Sequence, residues 1–145
     1  MQTDAGLATA MRISITRLAR RLRVERLGLG GTEAVLSDIQ LAALAALERH
    51  DAMTPGELAE HEKVQPPSMT RTLNCLVDAG LVMRTDHPAD GRQVLMSVTE
   101  RGEAVVRETR KQRTAWLAKR LAELSPEDRS TLARASEIAL RIAES

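Results

Sequence analysis

From Thr54 to Thr99 the chain reads TPGELAEHEKVQPPSMTRTLNCLVDAGLVMRTDHPADGRQVLMSVT, and this run decides the fold. It opens with Thr54-Pro55-Gly56-Glu57, a capping box whose proline takes the first helical position, where a missing N–H is harmless. The helix it starts is short, ending near His61. After Glu62-Lys63-Val64 a second helix begins near Pro66 and stops at Gly80, a suitable residue for the left-handed turn that closes a helix. The periodicity then becomes extended. Leu81–Asp86 and Gln93–Val98 read as strands joined by His87-Pro88-Ala89-Asp90-Gly91-Arg92, in which proline followed by Asp-Gly supplies turn chemistry. A short helix, a tight break, a second helix and a hairpin make a helix-turn-helix followed by a two-stranded wing.

The flanks are helical. Ser37-Asp38-Ile39-Gln40 is another capping box, opening a helix through Leu44 and Leu47 to about His50. Further upstream, Leu7, Met11, Ile15, Leu18 and Leu22 recur at intervals of three and four, which places them on one stripe. Arg12, Arg17, Arg20, Arg21, Arg23 and Arg26 fall outside it and read as a solvated face. Gly28, Gly30 and Gly31 lack the Lys and Ser/Thr of a phosphate-binding loop and read as a linker. Downstream, Thr99 caps a long helix from Glu100 to about Leu124. Ser125-Pro126-Glu127-Asp128 opens the last helix, whose stripe is Leu132, Ala135, Ala139 and Ile142. The expected fold is mainly α with a small two-stranded β wing. Residues 37–99 would form the winged core, with dimerisation helices in residues 1–36 (with the linker) and 100–145. The two apolar stripes have no sufficient partner within one winged-helix unit, so a second copy is expected to cover them.

Composition narrows the function. The chain has 145 residues, with 21 basic and 20 acidic side chains, so net charge alone points to no partner. Its distribution is uneven: residues 1–36 hold six arginines against three acids, and residues 37–62 hold one against six. Locally basic stretches in a neutral chain suit a DNA binder that touches with chosen surfaces. One cysteine and three histidines without ligand spacing point to no disulfide framework, metal or cofactor. No base-activated nucleophile or paired acids stand at usable spacing, so no catalytic residues are expected. No apolar run is long enough for a bilayer and no signal segment opens the chain, which suggests a cytoplasmic protein.

The helix from Pro66 to Ala79 carries the candidate site. At about 100° per residue, Met69, Leu73 and Leu76 share the inner side, while Pro67, Arg71, Asn74 and Asp78 lie opposite. Ser68, Thr70 and Cys75 flank the outer face. A small polar face of this kind fits a major groove about 12 Å wide, where Arg pairs with guanine, Asn with adenine, and Ser or Thr with bases or phosphate. An ordinary solvated helix has the same composition, and the wing breaks the tie. Arg92 stands at the wing tip, where it can enter the neighbouring minor groove. Asp90 can hold its guanidinium through a charge-assisted pair, which is also an ordinary turn salt bridge. Arg84 and His87 are expected on phosphates. Thr54 and Gln65 complete the candidate DNA-contact set.

The run from Leu58 to Gly102 resembles the core of the multiple-antibiotic-resistance regulator (MarR) family. The matching pieces are Leu58-Ala59-Glu60, Pro66 with Thr70-Arg71, Leu76, Gly80-Leu81-Val82, Asp90-Gly91-Arg92, Val98-Thr99 and Gly102. The resemblance implies a homodimer with interlocking first and last helices that binds pseudo-palindromic double-stranded DNA, usually as a repressor. It also implies release by a small amphipathic, often aromatic, effector in a cleft between the dimerisation and DNA-binding parts. Pro67 departs from the small hydroxyl residue frequent at that place, leaving Ser68 and Thr70 to supply more of the contact. Met11 and Trp116 are candidates for such a cleft, and equally for core or dimer packing. Cys75 is a candidate thiol sensor, against the simpler reading of a small, partly buried residue. An effector-independent repressor or architectural protein, and a winged-helix module that binds protein, remain as alternatives.

Overall fold

In a computed structural model the described residues are 1–25 and 36–145. The glycine linker and Arg26 lie outside them. Six helices and three short strands follow in the order α1 (Asp4–Val24), α2 (Asp38–His50), β1 (Ala52–Met53), α3 (Pro55–Glu62), α4 (Pro66–Asp78), β2 (Val82–Asp86), β3 (Val94–Val98), α5 (Glu100–Leu121) and α6 (Pro126–Ala143). Two compact units result. One holds Met1–Glu25 with Arg113–Ser145, and the other reaches Gln112, so the division falls inside α5.

The winged-helix unit is built on the expected start signals. Ser37 Oγ accepts from the Gln40 N–H while the Gln40 side chain accepts from the Ser37 N–H, and Thr54 with Glu57 does the same. Each box satisfies two amides that the first helical turn would otherwise leave orphaned. At the end of α4, the Gly80 N–H donates to Val77 O and the Leu81 N–H to Leu76 O, both 3.0 Å. Gly80 supports this turn at φ 75°, where a β-carbon would be strained. The closure drops Leu81 into the core beside Leu76, and both are buried.

The sheet has three strands rather than the two expected of the wing. Its order is β1-β3-β2, all antiparallel. The extra strand is Ala52–Met53, too short to show a period of its own, and it pairs with Ser97 and Met96. Side chains of α2, α3, α4, the sheet and the start of α5 close one core, in which Leu44, Leu47, Leu58, Met69, Leu73, Leu76 and Met96 are almost wholly sequestered. Gly102 lets α5 approach the sheet. A β-carbon there would stand 2.2 Å from the Leu81 carbonyl oxygen. Thr99 fastens the same joint, its hydroxyl donating to Gly80 O at 2.7 Å and accepting from the Gly102 N–H at 3.1 Å.

The helical unit packs differently. Thr3 caps α1 and Ser125 caps α6, yet neither helix buries a residue within the chain. Trp116 of α5 carries the guanidinium groups of Arg21 and Arg120 at 4.7 and 4.4 Å from its ring centre, a paired cation–π contact.

Candidate nucleic-acid interface

Helix α4 turns Met69, Leu73 and Leu76 into the core, which leaves Pro67, Thr70, Arg71, Asn74 and Cys75 exposed and Ser68 half-buried. Gln65 is its N-cap and makes no side-chain cap hydrogen bond, so its amide is open at the start of the helix. Arg71 donates to Ser68 Oγ at 3.3 Å, one turn back, and Thr70 Oγ1 donates to Pro66 O at 3.0 Å. Both bonds lie along the outer face and leave further donors and lone pairs for a ligand. Cys75 is exposed on this helix, not partly buried as the alternative for it assumed.

The wing turn is held by its own polar side chains. His87 Nδ1 accepts the Ala89 and Asp90 N–H groups at 3.1 and 3.2 Å, which requires the ring proton on Nε2. Asp90 Oδ1 accepts the Arg92 N–H at 3.0 Å and lies 3.5 Å from Arg92 Nε. The Arg92 side chain is 94% exposed. His87 therefore organises the turn from within, whereas Arg92 projects from it with one side of its guanidinium group steadied.

Two candidate contacts are placed elsewhere. Thr54 is 9% exposed, and its hydroxyl oxygen accepts the Glu57 N–H at 3.1 Å, so it serves the start of α3. Arg84 turns onto α4, where its Nη2 donates to Asn74 Oδ1 at 2.8 Å. The strand period explains this. Val82 faces the core, and alternation along β2 puts Arg84 on the same side, opposite Met96. That parity was available in the sequence; the Asn74 pairing, ten residues away, was not.

Beside the Asn74–Arg84 bond lies a groove of about 260 Å³, walled by Pro55, Leu73, Val94 and Met96, with Thr70, Asn74 and Arg84 as its polar edge. Neither Met11 nor Trp116 lines it. Met11 is half-buried on α1, and the Trp116 indole N–H is buried with no hydrogen-bond partner among the described residues. Among the described residues no His, Cys, Asp and Glu group could hold a metal ion, and no helix is long and apolar enough to cross a membrane.

This arrangement matches known proteins. The MarR family model matches residues 36–94. An HTH-type transcriptional regulator of Mycobacterium bovis is 42% identical over 144 residues, covering 99% of this chain and 97% of that protein. The HTH-type transcriptional repressor MdtR of Bacillus subtilis is 26% identical over 99% of this chain and 90% of its own length. Among solved structures, a transcriptional regulator of Pseudomonas aeruginosa superposes with a TM-score of 0.83 at 27% identity, over 100% of this chain and 98% of that one. Wild-type MarR of E. coli has the same fold, with a TM-score of 0.76 over 92% of this chain and 96% of that one, at 24% identity. A winged helix-turn-helix whose recognition face is polar, on a chain so close to these regulators over its full length, leaves one assignment: the protein belongs to the MarR family of DNA-binding transcription regulators, and it is not an enzyme.

Proposed function

We propose that the protein is a homodimeric repressor that grips a pseudo-palindromic operator with α4 in the major groove and the Arg92 wing tip in the minor groove. The observation that carries this is the pairing of a small, polar, outward α4 face with a wing arginine that is steadied at one side and otherwise exposed. On α4 the contact set is Gln65, Ser68, Thr70 and Arg71. Asn74 and Arg84 contribute beside it, and Asp90 supports Arg92.

The dimer follows from apolar surface. Leu7, Ile15 and Leu18 on α1 and Leu132, Leu140 and Ile142 on α6 are all exposed in one chain. Regular apolar residues left in water mark a surface that a second copy would cover. A two-fold dimer presents two recognition helices to one face of DNA, so half-sites should lie about 10 bp apart or a multiple of that. Sedimentation at micromolar concentration should give twice the chain mass, and footprinting should give two protected half-sites. A folded monomer, or one asymmetric half-site, would count against the proposal.

Release by a small molecule belongs to the same reading. The groove of about 260 Å³ offers apolar walls and one guanidinium, the chemistry that suits an aromatic carboxylate. Benzoate serves as the probe. Linkage requires that DNA weaken its binding by the factor by which it weakens DNA binding. Equal benzoate affinity with and without operator would mean that this compound releases nothing.

A further inference from the structure

We propose that Asn74 and Arg84 form a latch that fixes the wing to the recognition helix, so that Asn74 acts in DNA binding as a positioning residue through Arg84 and not as a reader of adenine. Three observations carry it. Asn74 Oδ1 accepts from Arg84 Nη2 at 2.8 Å, joining two elements of the DNA-binding face. An asparagine reads adenine by giving Oδ1 and Nδ2 together, and the bond from Arg84 takes one lone pair of Oδ1 and fixes the amide's direction, so that reading adenine competes with holding the wing. Arg84 is also held where strand parity puts it, on the inner side of β2 at the rim of a groove walled by Leu73, Val94 and Met96. The bond itself is open to solvent, so its contribution is that of one charge-assisted surface hydrogen bond, modest in energy and directional.

The consequence is geometric. The turn through Gly80 and the Thr99 joint anchor the base of the wing, but its strands run on beyond them. The latch catches β2 two residues past buried Val82 and ties it to the middle of α4. With the latch closed, the helix and wing tip meet DNA as one body. With it open, the wing must be ordered at the moment of binding, and that loss of freedom reduces affinity for every sequence alike.

The inference rests on the reading that α4 and the wing engage DNA together, and the experiment separates the two. An operator is selected from randomised duplexes with the full-length protein. Affinities are then measured for Asn74→Ala, Arg84→Ala, the double variant and Arg84→Lys with and without Asn74, across a salt series. A latch gives a loss of about three- to tenfold in each single variant and no further loss in the double. The loss is the same for every single-base operator variant, and the salt slope stays within about half a unit of the parent. Lysine at position 84 recovers affinity only where Asn74 is present. Additive losses, a loss confined to one adenine position, a slope lower by about one unit, or lysine rescue without Asn74 would each overturn the latch. Arg92→Ala, run alongside, reports on wing contact itself. A normal drop there with additive losses at positions 74 and 84 removes the latch alone; no drop there removes the reading beneath it. Should Arg84→Ala melt early, Arg84→Met keeps an apolar stem in the groove and takes its place.

Discussion

The winged-helix unit and the helical unit put their apolar side chains to different ends. In the first, leucines and methionines from three helices and the sheet, with two valines from α5, close on one another until almost none touches water. In the second, α1 and α6 repeat apolar residues just as regularly and bury none of them. Regular spacing shows that a helix face is meant to be covered; it does not show by what. A unit that satisfies its own stripes can fold and bind on its own account. Under the proposed dimer, a unit that does not is completed by a second copy, and its stability should depend on protein concentration.

The largest effect should therefore come from charges on the uncovered stripes. Leu18→Glu with Ile142→Glu changes only exposed positions, so a monomeric protein would tolerate it. If a two-fold interface covers them, each substitution acts twice, and the dimer should weaken by about a thousandfold or more. Sedimentation over a dilution series reads this, and an unchanged dimer would refute the assignment of those faces. The next effect sits in the self-sufficient unit. Gly102→Ala sets a β-carbon against the Leu81 carbonyl and the Val98 side chain, at 2.2 and 2.6 Å. It should cost about 3 kcal/mol in urea unfolding. Gly91→Ala, with nothing within 4 Å of the added carbon, should stay within about 0.5 kcal/mol of the parent.

The same contrast explains what could be read from the sequence. Ser37 with Gln40, Thr54 with Glu57, and Gly80 are local signals, each fixing a helix end within a few residues, and the structure has all three. Met69, Leu73 and Leu76 fell inward because helical period alone sorts them. What escaped was non-local or too short. The strand Ala52–Met53 exists only because β3 offers it an edge. His87 reads as a phosphate ligand; that its Nδ1 also accepts two backbone amides of the turn, leaving the Nε2 proton as the donor, is not legible in the sequence. Thr54 announces a helix cap, and its burial, which the sequence does not show, leaves little of its side chain for DNA. Cys75 lies on a flank of α4 where period does not settle exposure. Trp116 is a candidate for cleft or packing alike; its ring carries Arg120, one helical turn on, and Arg21 of α1, and no periodicity pairs the second with it.

Within the DNA-binding face, the helix and the wing should differ as sharply as the two units do. Arg71 lies on the outer side of α4, donating to Ser68 Oγ, so Arg71→Ala should remove a base or central phosphate contact. A base contact would cost about 1–3 kcal/mol, concentrated on the cognate operator. In the proposed complex Arg92 enters a groove whose code is degenerate, so its contribution should be mainly electrostatic. Arg92→Ala should weaken operator and random duplex alike and lower the salt slope by about one unit. Asp90→Ala should give the smallest effect. It leaves the charge of Arg92 in place and removes only the carboxylate that steadies it at 3.0 and 3.5 Å. The salt slope should then stay near that of the parent, while affinity falls by roughly two- to fivefold through the freedom the wing tip regains. Two opposing terms meet in this variant, because removing an acid near DNA also relieves repulsion. A gain in affinity would show that repulsion outweighs orientation and that Arg92 needs no guide. A loss that vanishes in the Arg92→Ala background would show that Asp90 acts through Arg92 alone.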